Sequence, residues 1–459
     1  MDFAESSEHE MLRAAVRDVA AKFGHDYYAE KVRTGGRATE LWDAIGELGF
    51  LGVHLPEEYG GGGAGMVELA IVCEELAAQG CPLLLILVSP AICGELIATF
   101  GTTAQKDRWL RPMAIGAKMV FAITEPDAGS NSHNIATTAT RDGNVYRLNG
   151  SKTYISGVDE ADAMVVVTRT STDPDSGRAR LSLFVVDTNA PGLERTLIPM
   201  EISGPEKQFT LFFDNVEVPA DRLLGGVGEG LRQVFVGLNP ERIMSAAICT
   251  GIGRYALEKA AAYANDREVW GTPIGRHQGI AHPLATAKIE VELARLMTLK
   301  AAWLHDQTHT KPETANDASP KPEAQRSGAE QVGSIPTKHA STHTEQPPEP
   351  ANDAGPTPEP QRSGGAQFRS VPTNTFRNHT ERRNNGAAEA ANMAKYAAAE
   401  AGLHALDAAI QTHGGNGLSS EYGLADLWGM VRLLRIAPVS REMVLNFVAQ
   451  QSLGLPKSY

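Results

Sequence analysis

The sequence is poor in cysteine, in basic charge and in uninterrupted apolar runs, and each shortage excludes a class of protein. Its four cysteines are Cys73, Cys81, Cys93 and Cys249, and no two stand at C-x-x-C or metal-ligand spacing. A chain of 459 residues buries a large core without disulfides. The cysteines therefore read as buried thiols in a reducing compartment, and no metal site is expected. The formal net charge is −13, which excludes the basic footprint of a nucleic-acid binder. The most apolar run, CPLLLILVSPAICGELIATF, is interrupted by Pro82, Pro90 and Glu95 and reads as a core helix rather than a membrane span. The N-terminus, MDFAESSEHE, is acidic and polar, unlike a signal peptide. A cytoplasmic protein with no membrane insertion is expected.

What the chain does have is a change of period. Residues 5–118 place apolar residues three and four apart, as in LWDAIGELGFLGVHLP and VELAIVCEELAA, with a Gly-rich break at EEYGGGGAG. From 119 to about 220 the period falls to two in MVFAIT, VYRLNGSKTYISG, AMVVVTRT, LSLFVVD and FTLFFDNVEV, strand-like runs separated by RDGN, DPDSG and NAPG turns. Helical spacing returns from 228. The order is helices, a β domain, then helices.

One stretch breaks this order. Residues 305–386 hold eleven prolines and no leucine, too little apolar surface to offset the entropy of ordering the chain. They also repeat: ANDASPKPEAQRSG at 315 returns as ANDAGPTPEPQRSG at 351, and SIPT at 334 as SVPT at 370. A solenoid repeat needs an apolar face, which this one lacks. The stretch reads as a duplicated, disordered insertion in a helix–helix turn, and removing it leaves a domain of ordinary length.

Five short segments carry candidate chemistry. FAITEPDAGSN (121–131) follows a strand and gathers small and hydroxylic residues into a turn. LNGSKTYISG (148–157) reads as a hairpin ending in Tyr154 and Ser156. DREVWGTPIGRHQ (266–278) and IQTHGGNG (410–417) follow. In GLNPERIMSAA (237–247), Asn239 reads as an N-cap, Pro240 as the first helical residue, and Glu241 as a first-turn acid. GVGEG and GIG do not follow a strand of a βαβ unit, so they are not read as a dinucleotide site.

The four segments other than the last, in this order and at these distances, resemble the acyl-CoA dehydrogenase family over residues 5–304 and 387 to about 450. The resemblance implies an α+β, mainly α fold with five segments: an N-terminal helical domain (1–118), a β-barrel-like middle domain (119–226), and a C-terminal four-helix bundle in two parts (227–304 and 387–459) flanking the insertion (305–386). It implies FAD, lined by Phe121, Ile123, Thr124, Gly129 and Ser130, with Tyr154 packed on the flavin ring and Ser156 directed at N5. Arg267, His277, Gln278, Gln411, Gly414 and Gly415 would reach the cofactor of a neighbouring subunit in a homodimer or homotetramer. Ser130, Asn239, Glu241 and Arg242 would touch an acyl-CoA substrate. The implied reaction is oxidation to the 2-enoyl-CoA, with electrons passed to an electron-transfer flavoprotein.

That reaction needs a desolvated carboxylate beside the substrate Cα. Most relatives carry it in a C-terminal Ile-Tyr-Glu-Gly-Thr segment, where gapless alignment from GGNG puts Pro438 here, and a proline is no base. A minority carries it on the helix just before a key arginine, and that position is Glu241, followed by Arg242. Glu241 is therefore the expected base. Pro438 also lacks the N–H that relatives use toward the thioester oxygen, leaving Val439 N–H or another donor. The Arg-Asp pair that relatives carry before the usual base is Gly429-Met430. These departures keep two other readings open: a catalytically silent flavin- or acyl-CoA-binding subunit, and an oxygen-using oxidase or monooxygenase.

Overall fold

Ser6 accepts from His9 N and opens α1 (Ser7–Thr34), which Gly35 closes in the left-handed region at φ 66°, ordinary start and stop signals both. The computed structural model describes residues 5–202, 204–309 and 379–457. After α2 (Thr39–Glu47) the Gly-rich break leads into α3 (Met66–Ala78), where Glu68 folds back onto Gly65 N. A second cap on α3 comes from far along the chain: the Asp306 carboxylate accepts from Met66 N at 2.7 Å and Val67 N at 3.2 Å. The apolar run is helical and buried, as expected of a core segment. It comprises α4 (Leu84–Ile86), a π-helical stretch (Leu87–Gly94) and α5 (Glu95–Phe100). Pro90 lies in that stretch without an N–H to donate, and the helix widens there. α6 (Thr103–Ala114), with a Thr102–Gln105 capping box, precedes the strands.

The strands are β1 (Met119–Ala122), β2 (Thr138–Asp142), β3 (Val145–Ser156), β4 (Ala163–Thr172), β5 (Ala179–Asp187), β6 (Leu193–Ile198), β7 (Gln208–Pro219) and β8 (Leu223–Leu224). They form one sheet in the order β6-β7-β3-β2-β4-β5-β8, with β1 pairing β4 in parallel. The sheet stays open, which corrects the barrel-like expectation. β6 ends it with the exposed run Glu194-Arg195-Thr196-Leu197, and charged edges of this kind resist further pairing. Alternation divides the central strands between two cores. Met164, Val166, Phe184 and Val186 join the larger one, while Val165, Val167, Leu183 and Val185 join the other. The segment 148–157, expected as a hairpin, instead forms most of β3 through Ser156, where the strand still pairs with β7.

The last region holds α7 (Gly230–Asp266), a two-strand ribbon of β9 (Glu268–Val269) and β10 (Thr272–Pro273), α8 (Gln278–His309), α9 (His379–His413), α10 (Ala425–Ile436) and α11 (Arg441–Phe447). Small residues let these helices approach closely. A methyl on Gly251 of α7 would stand 2.4 Å from the Glu74 carbonyl oxygen, and one on Gly402 of α9 would stand 2.8 Å from that of Cys249. The described ends of the 305–386 stretch are helical, through His309 and from His379. The expectation of disorder between them falls outside the described residues. No described helix is long and apolar enough to cross a membrane, and the four cysteines are free and buried.

A buried ionic cluster ties four of these helices together. Arg13 of α1 donates to Glu74 at 2.7 Å and Glu75 at 2.5 Å on α3. Arg254 of α7 donates to Glu75 at 2.6 Å, and Arg295 of α8 to Glu74 at 2.6 Å. Burial pushes the Glu74 carboxyl up, but Arg295, Arg254 and Arg13 outweigh it and hold the group below its ordinary range.

Candidate active site

Pro240 does not begin a helix. α7 runs unbroken from Gly230, with Pro240 its eleventh residue and buried, which corrects the helix start expected at Asn239. Gln233, Val234 and Gly237 on the preceding turns are buried, and their packing outweighs a proline cost of about 3 kcal/mol. Asn239 is accordingly not a cap. Its side-chain oxygen accepts from Arg242 Nη1 at 2.7 Å and fixes that guanidinium.

Glu241 follows the proline. Its Oε2 is buried without a hydrogen-bond partner, as is Arg242 Nε beside it. Burial pushes the Glu241 carboxyl up to about 8, against the opposing charges of Arg242 and Lys395. A capping acid would bond to first-turn N–H groups; this one, half-buried with its Oε2 enclosed, makes no such bond. Burial also brings the Arg242 guanidinium down to about 10, against Glu241. The Leu87–Gly94 stretch lies against this turn. Cys93 on it has its thiol pushed up by burial, and the Glu241 charge adds to the effect. A methyl on Gly237 would stand 3.0 Å from Leu96 and 3.1 Å from Ile92. Ser89 Oγ, on the same stretch, accepts from Met119 N at 3.0 Å and joins it to β1.

The turn after β1 is bound to β3 on its inner side and open on its outer side. Phe121 is buried, Ile123 and Thr124 are half-buried, and Gly129 and Ser130 are exposed. Lys152 Nζ donates to the Ile123 carbonyl at 3.0 Å and to Glu125 at 2.8 Å, and Thr153 N donates to the Thr124 carbonyl at 2.9 Å. Glu125 in turn accepts from Ala136 N and Thr137 N. A methyl on Gly129 would meet nothing within 4 Å. Tyr154 holds a left-handed backbone, φ 57°, and is 59 % exposed. Ser156 Oγ exchanges hydrogen bonds of 3.0 and 2.8 Å with the Gln208 amide.

The remaining predicted cofactor residues gather elsewhere. His413, between Gln411 and Gly414, stacks on Tyr263 near the end of α7, with ring centroids 4.2 Å apart. Arg267 closes that helix and accepts from Ile274 N at 2.8 Å. His277 meets Trp270 edge-on, and Gln278 opens α8. Gly414 and Gly415 have open space where a side chain would stand. Gly230, at the other end of α7, packs against Leu181 of β5. Tyr263 lies 33 residues further along the helix, about 50 Å at 1.5 Å per residue. One end of α7 thus meets the sheet, and the other presents the second group of residues.

Three family models match the chain in succession: the N-terminal, middle and C-terminal domains of acyl-CoA dehydrogenase, over 6–117, 120–216, and 228–320 with 373–453. The chain belongs to the acyl-CoA dehydrogenase family. It is 50 % identical over 458 residues to the acyl-CoA dehydrogenase FadE12 of Mycobacterium tuberculosis, covering 100 % of this chain and 99 % of that one. The glutaryl-coenzyme A dehydrogenase in complex with glutaryl-CoA superposes with a TM-score of 0.78 at 29 % identity, over 100 % of this chain and 98 % of that one. A Mycobacterium smegmatis glutaryl-CoA dehydrogenase in complex with FADH2 shares the fold, with a TM-score of 0.76 at 22 % identity over 99 % and 96 % of the chains. The family model skips 321–372, whereas the match to FadE12 spans the whole chain.

Met430 is buried in the core. Sequence reasoning missed the groups that hold the site together: Lys152, Glu125, Gln208 and Lys395. Lys395 left one legible trace. It stands alone in AANMAKYAAAEAG, four residues after Ala391 and three before Ala398, so helical spacing turns it inward with them.

Proposed function

We propose that this acyl-CoA dehydrogenase family enzyme oxidises an acyl-CoA thioester to its 2-enoyl form, with Glu241 as the base and FAD as cofactor. The observation that carries the reading is the buried, unpartnered Oε2 of Glu241. It stands beside a fixed arginine, in a chain whose alternative base position is Pro438. The residues suit a flavin: an exposed aromatic ring at Tyr154, the hydroxyls of Thr124 and Ser130, and open backbone at Gly129. When bound, FAD supplies the acceptor for the hydride leaving Cβ. Phe121, Ile123, Thr124, Gly129 and Ser130 would hold it, with Tyr154 against the ring and Ser156 as a hydroxyl already oriented by Gln208.

Glu241 removes the proton from Cα. Its value near 8 matches the needs of a base that must bind a weakly acidic C–H proton near neutral pH. Arg242, held by Asn239, places positive charge beside that carboxylate as the proton transfers. Ser130, Asn239 and Arg242 contact the substrate. Arg267, His277, Gln278, Gln411, Gly414 and Gly415 complete the cofactor site of a second copy in a homodimer or homotetramer. The separation of this group from the sheet end of α7 supports that arrangement. Electrons leave to an electron-transfer flavoprotein.

Anaerobic titration of the yellow protein with butyryl-, octanoyl-, isovaleryl- and glutaryl-CoA tests the reading. At least one should bleach the flavin, and Glu241→Gln should abolish the bleaching. Wild-type protein that binds FAD and acyl-CoA but never bleaches would be a silent binding subunit instead.

A further inference from the structure

The loop around Pro438 is held from beneath by α9. Lys395 is 1 % exposed, and its ammonium donates to the carbonyl oxygens of Arg435 at 2.9 Å and Val439 at 2.5 Å. Those two carbonyls bracket Ile436, Ala437 and Pro438. One turn on, Glu400 accepts from Arg435 Nε at 2.7 Å and Arg441 Nε at 2.8 Å, fastening both flanks of the loop to the same helix.

Lys152, the other fully buried lysine, sits on a carboxylate. Lys395 instead ends on backbone carbonyls and makes no ion pair among the described residues. Burial brings this ammonium down to about 8, with Cys249, Glu241 and Glu442 opposing the shift, so below that pH it keeps a charge that no carboxylate cancels by direct contact. The groups facing it are Cys249, Glu241 and Arg242 on α7 and Glu442 on α11. The groups facing Glu241 are Arg242 on its own helix, Lys395 from α9 and Cys93 from the Leu87–Gly94 stretch.

We propose that Lys395 is a positioning residue of the reaction site: through the Arg435 and Val439 carbonyls it fixes the loop around Pro438, and it is the cation that faces the Glu241 carboxylate from α9. The proposal rests on Glu241 being the base. A proline offers no N–H with which to anchor the loop, so the lysine sets the loop's place by gripping carbonyls instead. The same ammonium favours the ionised form of a carboxylate that burial alone would keep protonated. Position and charge thus come from one side chain.

The test uses the FAD-loaded full chain with Lys395→Met, Lys395→Gln and Lys395→Arg. Infrared difference spectra against Glu241→Gln isolate the carboxylic-acid stretch of Glu241 and give its titration midpoint without turnover. The midpoint is expected to rise by about one pH unit in the Met and Gln variants, a tenfold loss of ionised carboxylate below the midpoint. It should return toward wild type in the Arg variant. Amide exchange over 435–441 should quicken in Met and less in Gln, which keeps a donor. The pH profile of flavin reduction by the best-bleaching acyl-CoA should move with the infrared midpoint. An unmoved midpoint in folded Lys395→Met overturns the proposal. So does failure of all three variants to fold and load FAD, which would make Lys395 a residue of the fold. If the midpoint moves but Glu241→Gln still reduces its flavin, the base reading fails and takes with it any part of Lys395 in the reaction. If Glu241→Gln is inert and the midpoint stays, only the Lys395 assignment fails.

Discussion

Two buried acidic sites lie on helices that touch, and their surroundings are opposite. Glu74 and Glu75 on α3 are enclosed by Arg13, Arg254 and Arg295, and at Glu74 charge outweighs burial. Glu241 on α7 has one oxygen with no partner at all, and burial outweighs the charges of Arg242 and Lys395. The residue type and the enclosure of carboxylate oxygens are shared, although Glu241 as a whole is half-buried. What differs is whether the lone pairs are spoken for. A saturated carboxylate braces helices and has no capacity left for a substrate proton, while an unsaturated one is costly to keep and is explained by what it later receives.

The largest expected effect is on the unsaturated side. Glu241→Gln should leave fold and FAD content intact and slow flavin reduction by acyl-CoA at least ~10²-fold in stopped-flow measurement, because Gln keeps the shape but accepts no proton. Reduction at near wild-type rate would erase the distinction between the two sites. The mirror experiment is Glu75→Gln. Removing one partner leaves buried guanidinium charge uncompensated, at about 3–5 kcal/mol. Calorimetry should show a much lower Tm, while flavin reduction by the folded fraction is nearly unchanged.

Stability against pH sharpens the comparison. The Glu241 carboxyl is raised from its ordinary value near 4.5 to about 8, so the folded state holds that proton more tightly than the unfolded chain. Its contribution is fully present below about pH 4.5 and is lost as pH rises through about 8. Glu206, pushed by burial up to about 7, acts in the same direction. For Glu74 the shift is downward, so its contribution is present above the ordinary carboxylate range and lost as pH falls. Substrate-free Glu241→Gln should therefore melt at least about 2 °C above wild type near pH 8.5, with little difference near pH 5. An equal gap at both pH values would mean that Glu241 is not titrating in the fold.

Smaller effects come from the connections. Asp306→Ala removes a carboxylate from the first N–H groups of α3 and should cost about 1 kcal/mol by urea unfolding, with activity retained. Replacing 310–378 by a short Gly/Ser linker should change neither FAD content nor flavin reduction. A twofold loss in either would show that the segment serves the site.

Period and turn chemistry carried most of the fold. The switch from helical spacing to alternation located the sheet, because central strands buried on both faces still read as continuous Val, Leu and Phe. The open edge was not legible, since closure depends on whether β6 and β8 meet, which neither strand states by itself. Helix starts failed where packing overrode local signals. Asn239-Pro240-Glu241 is a helix start by every short-range rule, and the burial of Gln233, Val234 and Gly237 extends the helix through it. Glu241 was expected as the base from what is missing at Pro438. Lys395 was not, because its partners are backbone carbonyls 40 and 44 residues away, and carbonyls have no residue type to recognise.

Glu241 rides on a helix 37 residues long, and that has a genetic consequence. Gly251 lies ten positions beyond Glu241, nearly three turns along, and even a methyl there would drive into the Glu74 carbonyl oxygen. A larger side chain has to push α7 away from α3, and the carboxylate moves with the helix that carries it. In a random library scored by loss of flavin bleaching, alleles at Gly251 and Gly402 would be recovered beside those at Glu241. They would be yellow, folded and inactive. Mapping such alleles would trace the length of α7 and its neighbours, and a geneticist without coordinates would draw the site several turns too large.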